Sequence, residues 1–396
     1  MSKYEIVVDG PINLSGMGNV TRGFIKCLND IPDFKVKVYD NQISPQLAHK
    51  GIPQEELDLY DELSKKEIST NALYIQIGAP RIFKKVPFKH SVAWTLFESD
   101  GFHPQYVQTC NTLVDEIWTA SRFNKHTFST NGVNKKIRII PPMIDTEAFK
   151  PDIPRLRISN LRGYVFQANF DFSWRKGMDI LLHAYWDEFT NNDDVCLIIK
   201  TFTGDDSVQA QRHLMNNINF MKKKLSLDDK KTAPVLFMGS FLEQKHMPAF
   251  ANTCDCYVMA SRGEGFGLTA AEAMSLEKQV ICTRWSAPIE FVSRNGYMID
   301  LDAKAPLVPI QDQYQLRTEP FYQGQSMANP SIDHLKELMH TVIKDKSNID
   351  LKKKARDTII KKFSKEATMK RLQENIIDVF EGTKEEFGGD GKGLFA

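Results

Sequence analysis

The sequence predicts an α/β fold with two domains, each built on a parallel β-sheet and facing the other across a cleft. Short apolar runs typical of strands alternate with helical stretches, which is the pattern of parallel α/β sheets. A stretch with four prolines, residues 140–154, separates two series of such strands and favours an extended linker over a helix. The 396 residues suffice for two domains of ordinary size.

Eleven runs are predicted as strands, six before the linker and five after it. Because the carboxyl ends of parallel strands meet at one edge of a sheet, we expect a ligand to bind at those edges, between the two sheets. The first series comprises residues 5–8, 35–39, 73–77, 91–95, 116–119 and 137–140. The second series comprises residues 164–167, 196–200, 235–238, 256–259 and 279–283.

The domain boundaries follow from this division. We expect a first domain over residues 1–150 and a second domain over residues 151–364. Within the second domain, residues 303–330 are rich in proline and glutamine and are predicted as loop. A last helix is predicted over residues 365–381, and the glycine-rich, charged residues 382–396 are expected to form a flexible tail.

The composition argues against several classes of protein. The 51 Lys and Arg residues nearly balance the 50 Asp and Glu residues, and a net charge of +1 does not suit a nucleic-acid binder. The six cysteines lack the spacing of metal ligands, which favours buried free thiols in a reducing compartment. No apolar run is long enough to span a bilayer, and the first residues show no signal-peptide core, so we expect a cytoplasmic location.

The most informative stretch, residues 261–274, places Glu264 and Glu272 eight residues apart across a glycine-rich turn. A short apolar strand precedes the turn, and a helix is predicted to begin at Leu268. We expect the three glycines of the segment 263–267 to let a ligand approach the backbone, because no Cβ stands in its way. The unpaired amides and the positive dipole end of the helix are suited to a phosphate.

Glu272 has apolar neighbours one helical turn before and after it, at Leu268 and Leu276. A carboxylate on an apolar stripe is costly unless hydrogen-bond donors reach it, and the hydroxyls of a sugar or ribose would do so. The alternative is that Glu272 caps a neighbouring helix or pairs with one of its cations. Gly16 and Gly18 follow the first strand and precede a helix predicted near Val20, where they would admit a diphosphate; an ordinary strand-to-helix turn is the alternative.

The stretch 261–274 resembles the Glu-x7-Glu signature of the retaining, GT-B-fold glycosyltransferases of family 4, the glycosyl transferases group 1. The similarity continues in order along most of the chain. The further segments that carry it are residues 115–123, 132–133, 139–145, 149–151 and 174–182.

The resemblance implies two Rossmann-like domains in the GT-B arrangement, with the helix 365–381 returning to the N-terminal domain. It also implies the activity: a sugar is moved from a UDP- or GDP-sugar to a glycan, lipid-linked or other hydroxyl acceptor, with retention at the anomeric carbon. The family compensates the charge of the departing diphosphate with basic side chains, so no metal and no other cofactor are expected.

Site residues follow from the same resemblance. Glu264 would contact the transferred sugar and Glu272 the ribose, while Lys176 and the amides after Glu264 would hold the diphosphate. The predicted catalytic residues are Glu264, Lys176 and Glu98. The predicted donor-binding residues are Gly16, Gly18, Arg175, Lys176, Lys200, Glu264, Gly265, Phe266, Gly267, Leu268 and Glu272.

Two positions depart from the family pattern. The family's arginine, four residues before its lysine, falls on Asp171 here, so Arg175 or Lys200 would supply the missing charge; for Arg175, a solvated surface position is the alternative. Where many members carry a histidine, this chain has Glu98, which would act as a base or orient the acceptor hydroxyl. A glutamate in a surface loop is the competing interpretation.

Two other clusters each have a functional and a structural interpretation. Asp300 and Asp302 resemble the metal-binding Asp-x-Asp of the other large glycosyltransferase fold, but paired acids at turns are usually solvated. Lys84, Lys85 and Lys89 would suit peripheral contact with anionic lipid head groups or, as is commoner, a solvated surface.

Two rival functions stay open. One is a catalytically inactive subunit that binds a nucleotide sugar or serves as a partner, and the other is a nucleotide-sugar epimerase. Turnover of a donor separates the first rival from a transferase, and epimer formation without an acceptor identifies the second. The sequence does not indicate an oligomeric state.

Overall fold

The structure, a computed structural model, describes residues 3–41, 49–202, 207–227, 230–239 and 241–382. The first of its two main sheets consists of β1 (Tyr4–Gly10), β2 (Phe34–Asp40), β3 (Leu73–Ile77), β4 (His90–Trp94), β5 (Glu116–Thr119) and β6 (Lys136–Ile139). The strand order is β2-β1-β3-β4-β5-β6, and every neighbouring pair is parallel. All six strands were predicted.

The second sheet consists of β7 (Tyr164–Asp171), β8 (Val195–Phe202), β9 (Val235–Met238), β10 (Cys256–Met259), β11 (Gln279–Thr283) and β12 (Tyr297–Ile299). Its order is β12-β11-β10-β7-β8-β9, again with parallel neighbours only. The sequence did not predict β12, because three residues are too short to show a strand period.

Helices connect the strands and cover both sheets. The early ones are α1 (Gly16–Asn29), α2 (Gln54–Ser64), α3 (Pro104–Leu113) and α4 (Arg122–Thr130). The second sheet carries α5 (Met178–Glu188), α6 (Val208–Lys224), α7 (Met247–Ala251), α8 (Leu268–Ser275) and α9 (Ile289–Val292). The remainder are α10 (Gln313–Thr318), α11 (Ile332–Lys344), α12 (Ile349–Phe363) and α13 (Lys365–Glu381).

Residues 307–328, which we call the strap, contain more structure than the predicted loop. They form an antiparallel hairpin of β13 (Leu307–Pro309) and β14 (Ser326–Ala328), with α10 and a 3₁₀ turn between its strands. Phe321 stacks on Tyr106 with ring centroids 4.1 Å apart, and Tyr322 stacks on Phe97 at 4.6 Å. The strap therefore carries residues from the second half of the chain into the core of the first domain.

The last helix also packs against the first domain. On α13, Leu372 and Ile376 are fully buried, and the helix contacts α1. The Tyr4 hydroxyl donates to Glu381 Oε1 at 2.5 Å, which fixes the end of α13 beside β1. Gly382, with φ +62°, ends the helix in the left-handed conformation. The rest of the predicted tail, residues 383–396, lies outside the described residues, and the domain boundaries stay predictions.

The structure also bears on the cysteines and on membrane-spanning helices. All six cysteines are buried and unpaired, as predicted. Within the described ranges, no helix has both the length and the apolar character needed to cross a bilayer.

Candidate active site

A cavity of about 960 Å³ lies between the carboxyl ends of the two sheets. Segments that follow strands of both sheets line it, together with part of the linker between the domains. Gly18 is the predicted site residue that is not in the lining. The predicted residues that line the cavity are Gly16, Glu98, Arg175, Lys176, Lys200, Glu264, Gly265, Phe266, Gly267, Leu268 and Glu272.

Helix α1 begins at Gly16, not near Val20 as the sequence predicted. Ser15 caps it, since the Ser15 Oγ accepts a hydrogen bond from the Gly18 amide at 3.1 Å, and this cap adds a first turn that apolar periodicity does not show. A Cβ on Gly18 would lie 2.2 Å from the Asn13 carbonyl oxygen, so Gly18 serves the turn. Gly16 borders the cavity, and a Cβ there would meet only Leu268 Cδ1 at 3.8 Å.

Helix α8 begins directly opposite, at Leu268. Its N-cap residue, Gly267, has φ +101° and provides no side-chain cap, so the amides of the first turn keep their hydrogen-bonding capacity. Two helix N-termini thus meet across the cavity, where their amides and dipoles favour an anion.

Glu264 lies beside these helix ends with 7% of its surface exposed. The Lys176 ammonium donates to Glu264 Oε1 at 2.8 Å and Oε2 at 3.1 Å, and Arg175 Nη1 lies 3.5 Å from Oε2. Burial alone would raise the pKa of Glu264, but the two cations outweigh it and lower that pKa below its ordinary value. Glu264 is therefore held as an anion in a fixed position.

Arg175 is not a solvated surface charge. Its Nη2 lies 3.5 Å from Glu98 Oε1, and its Nη1 donates to the Gly263 carbonyl at 2.9 Å. The guanidinium bridges Glu98 from the first domain and Glu264 from the second. Burial acts to lower the pKa of Arg175. The two carboxylates together outweigh burial, so the pKa of Arg175 lies above its ordinary value. Lys200, at the end of β8, is 8% exposed and adds a further basic group to the lining.

Glu98 is held from two sides, which does not fit a glutamate in a surface loop. The Tyr322 hydroxyl, from the strap, donates to Glu98 Oε2, while Arg175 pairs with Oε1. Burial first, and then Glu98, raise the pKa of Tyr322 well above its ordinary value, so its hydroxyl stays protonated and remains a donor. The sequence did not indicate Tyr322, because nothing local connects it to a residue 224 positions earlier.

Two of the three motif glycines stand at a contact between the domains that the sequence did not indicate. A Cβ on Gly263 would lie 2.0 Å from the Glu98 carbonyl oxygen, and a Cβ on Gly265 would lie 2.5 Å from Leu96 Cδ1. These glycines let the two domains approach each other closely.

Glu272 lines the cavity, and no cation among the described residues pairs with its carboxylate. Burial first, and then the Asp145 carboxylate, raise the pKa of Glu272 to about 8. No cation contributes to this shift, so the alternative of an ion pair with a neighbouring helix has no support in the described part of the chain. Hydroxyl groups of a ligand would supply the missing hydrogen bonds.

Arg262 is a second residue that sequence analysis missed, although it stands inside the motif. Its Nη1 and Nη2 donate to the two carboxylate oxygens of Asp179 at 2.8 and 2.6 Å, and Nη1 also donates to the Trp174 carbonyl at 2.6 Å. The guanidinium lies 4.3 Å from the centre of the Trp174 ring. Arg262 thus fixes the turn that presents Arg175 and Lys176 to the cavity.

The Asp-x-Asp segment lies elsewhere and has other partners. Asp300 pairs with Arg284 at 2.5 Å, and its backbone amide donates to His334 Nδ1 at 2.9 Å. Asp302 accepts a hydrogen bond from the Lys304 amide at 2.8 Å. Searching the described ranges gives no group of three or more His, Cys, Asp or Glu side chains placed to hold a metal ion.

Residues 162–308 match the model of the family described as Glycosyl transferases group 1. The chain is also 27% identical over 154 residues to mannosylfructose-phosphate synthase of Agrobacterium fabrum. That match covers 38% of this chain and 33% of the relative, so it spans about a third of the relative's length.

Solved structures match almost the whole chain. A glycosyltransferase from Rickettsia africae superposes with a TM-score of 0.65 at 15% identity, covering 97% of this chain and 100% of that one. Sucrose-phosphate synthase from Thermosynechococcus elongatus gives 0.65 at 13% identity, covering 96% and 100%. Anabaena Alr3699/HepE, in complex with UDP and glucose, gives 0.60 at 14% identity, covering 94% and 99%.

The matched structures share the architecture of two facing parallel sheets, and the predicted GT-B fold is confirmed. The family model and the similarity to synthases support the prediction of a glycosyltransferase enzyme.

Proposed function

We propose that the chain transfers a sugar from a nucleoside-diphosphate sugar to a hydroxyl acceptor, with retention at the anomeric carbon. The observation that carries the proposal is the ion pair of Lys176 and Glu264, set beside two helix N-termini in the cavity. A buried carboxylate is suited to sugar hydroxyls, and the adjacent cation and amides are suited to a diphosphate. The family match over residues 162–308 supports the same activity.

The donor would lie along the second sheet. Glu264 would accept hydrogen bonds from the sugar, and Glu272 would accept them from the ribose, in keeping with its otherwise unpartnered carboxylate. The diphosphate would lie between the N-termini of α1 and α8, within reach of Lys176 and Lys200. These basic groups would supply the charge that a metal ion supplies in other transferases, which favours a metal-independent reaction.

In the proposed reaction, the bond between the anomeric carbon and the diphosphate oxygen breaks, and a bond to the acceptor oxygen forms on the same face of the sugar. The acceptor's proton passes to the departing diphosphate. Lys176 and the helix amides stabilise the charge that develops on that diphosphate, which is the step where fixed donors have the largest effect. Arg175 keeps Glu264 and the acceptor-side Glu98 in fixed relative positions.

Glu98 would orient the acceptor. Because Arg175 and Tyr322 each engage one of its oxygens, Glu98 is placed better to accept a hydrogen bond from an acceptor hydroxyl than to remove its proton. A glycan or a lipid-linked sugar would enter from the first domain, where Glu98 lies in the segment that follows β4.

The test is release of nucleotide from UDP-, GDP- and ADP-sugars, without added metal, by the wild type and by Glu264→Gln. Removal of one preorganised charged contact is expected to lower the rate by about 10²- to 10³-fold. Glu337→Gln, an exposed residue of α11 outside the cavity, is the matched control and should retain the wild-type rate.

The outcomes separate the rival functions. Donor binding without nucleotide release, and without products in the presence of glycan acceptors, would indicate the inactive binding subunit. Conversion of the donor to an epimer without an acceptor would indicate the epimerase. Equal rates for the wild type and Glu264→Gln would refute the role proposed for Glu264.

A further inference from the structure

The cavity extends beyond the region of Glu264 to a second end. In the second sheet, three strand steps separate β10, which leads to Glu264, from β9, which leads to Gln244. In the first sheet, three steps likewise separate β4, which leads to Glu98, from β2, which leads to Glu56. With about 4.8 Å between neighbouring strands, the two ends lie roughly 14 Å apart.

The two domains contact each other at this second end. Gly51, with φ +77°, brings the loop after β2 so close to Phe241 that a Cβ would lie 2.7 Å from the ring. The Gln244 amide N–H donates to the Gly51 carbonyl at 3.4 Å. The Arg22 Nη1 donates to the Gln244 Oε1 at 2.5 Å. A ligand at this end would therefore be enclosed by both domains.

Arg22 has spare hydrogen-bonding capacity here. It lines the cavity with only 5% of its surface exposed, and its Nη2 donates to the neutral Asn19 Oδ1 at 2.8 Å. Within the described ranges, the buried Nε has no hydrogen-bond acceptor. Burial lowers the pKa of Arg22, although Glu56 acts to raise it. A guanidinium so placed is costly unless a ligand accepts hydrogen bonds from it.

The nearby carboxylate is engaged by other groups. Glu56 pairs with Lys26 at 2.8 Å and accepts a hydrogen bond from the Tyr60 hydroxyl at 2.9 Å. Because Gln244 Oε1 accepts from Arg22, the Gln244 amide nitrogen is the part of that side chain available to a ligand. Arg22 and Gln244 thus offer donors, and the ligand edge that they contact must carry acceptors.

The rest of this end suits a planar ring. Leu242, Met247 and Pro248 line it and provide apolar surface. In the proposed function, the sugar lies at Glu264 and the ribose at Glu272, so the remaining part of the donor, its base, extends toward this end. Uracil and guanine present a carbonyl oxygen where adenine presents an amino group that donates.

We infer that the second end of the cavity binds the carbonyl edge of a nucleobase, and that Arg22 and Gln244 select uracil or guanine over adenine. This inference rests on the proposed function, because the position of the base is set by the proposed positions of the sugar and the ribose. The inference adds to the proposed function a contact between Arg22 of the first domain and the base of the donor, which takes no part in the reaction.

The experiment is isothermal titration calorimetry of UDP, GDP and ADP with the wild type, Arg22→Met and Gln244→Glu. Arg22→Met removes the donors but keeps an unbranched side chain. Gln244→Glu keeps a partner for Arg22, which protects the fold, and replaces the amide donor with an acceptor. Arg155→Met is the matched control, since Arg155 is exposed, pairs with Asp255 at 3.3 Å and lies outside the cavity lining.

We expect the wild type to bind UDP or GDP at least tenfold more tightly than ADP. Arg22→Met should weaken that binding about tenfold, with less than a threefold change for ADP, as expected for loss of a base contact. Gln244→Glu should weaken UDP or GDP binding and strengthen ADP binding, while Arg155→Met should behave as the wild type.

Three results would overturn the inference while the proposed function stands. The first is equal affinity of the wild type for all three nucleotides. The second is unchanged nucleotide binding by both variants. The third is an equal loss of affinity for all three nucleotides in folded Arg22→Met, which would place Arg22 on the diphosphate. If the wild type binds none of the nucleotides, the proposed function fails and the inference fails with it.

Discussion

At the scale of single residues, the site is a chain of alternating charges that crosses the cleft. Lys176 pairs with Glu264, Arg175 joins Glu264 to Glu98, and Tyr322 completes the hydrogen bonds of Glu98. Each carboxylate thus has a fixed orientation before a ligand arrives, which is the preorganisation that catalysis by charge stabilisation needs. Glu272 differs, because it has no cation and its pKa is raised to about 8.

Glu272 makes the stability of the folded chain depend on pH. Its pKa in the folded chain exceeds the ordinary value of 4.5, so the stability it contributes is complete below pH 4.5 and is lost as the pH rises through about 8. Between pH 6 and pH 8.5, the unfolding free energy of the wild type should fall relative to that of Glu272→Gln, on the order of 2 kcal/mol. Urea denaturation at both pH values measures this difference, and parallel pH dependence of the two proteins would contradict it.

Tyr322 is predicted to position Glu98. Tyr322→Phe should slow nucleotide release about tenfold, because one carboxylate oxygen loses its donor, while UDP affinity stays unchanged. Tyr106→Phe is the control: it removes a hydroxyl from the same aromatic cluster, where the Arg81 Nη1 donates to it at 3.5 Å and Glu98 is not contacted. Both variants should lose about 1 kcal/mol of stability. Equal rates of nucleotide release in the two variants would show that Tyr322 has only a structural role.

At the scale of elements, the decisive unit is the turn between β10 and α8. Its glycines serve two purposes: Gly267 starts α8 in a backbone conformation that L side chains avoid, and Gly263 and Gly265 allow the first domain to approach. Two interactions fix the turn: Arg262 binds Asp179, and the Glu264 amide donates a hydrogen bond to the Ser286 hydroxyl at 3.1 Å. The proposed donor site and the contact between the domains therefore share the seven residues 261–267.

Gly265→Ala tests the role of that turn in bringing the domains together. The added Cβ would lie 2.5 Å from Leu96 Cδ1, so the domains should separate at this point. We expect UDP binding within threefold of the wild type and nucleotide release at least tenfold slower, since fixed geometry across the cleft is lost. Small-angle X-ray scattering with bound UDP should show a larger radius of gyration.

Gly239→Ala is the control for this change, because its added Cβ would meet nothing closer than 3.7 Å. A Gly265→Ala protein with the wild-type rate and dimensions would show that residues 96–98 adjust to the extra methyl group at no cost.

At the scale of the whole molecule, three segments of the described chain join the domains. The linker 140–154 is the one that the sequence predicted as a connection, while the strap and α13 return to the first domain from the second half of the chain. The first domain is consequently completed by residues that lie far from it in sequence. We therefore expect the stability of the first domain to depend on these segments.

Leu372→Ala tests this dependence. Leu372 is fully buried on α13, and truncation of a buried leucine should cost about 3 kcal/mol. Urea denaturation should show the loss in the unfolding of the first domain, followed by the fluorescence of Trp94 and Trp118, which are buried in it. Lys370→Ala, at an exposed position of the same helix, should change stability by less than about 0.5 kcal/mol. An unchanged first-domain transition in Leu372→Ala would contradict the bracing role of α13.

The sequence by itself determined what depends on local pattern. Alternation of apolar strands and helices predicted all six strands of the first sheet and five of the second, because side-chain periodicity is a property of neighbouring residues. The spacing of Glu264 and Glu272 around the glycines predicted a ligand site at the start of α8 for the same reason. Short elements such as β12 and the strap hairpin were missed, since three residues show no period.

Only the tertiary structure decided which distant residues meet. It placed Arg175 between Glu98 and Glu264, brought Tyr322 to Glu98, and set Arg22 against Gln244, pairs that lie up to 224 positions apart. It also showed that Gly263 and Gly265 accommodate the first domain. Such contacts depend on how two folded surfaces pack against each other. Because packing depends on the shape of the whole folded chain, it leaves no periodic signal in the sequence.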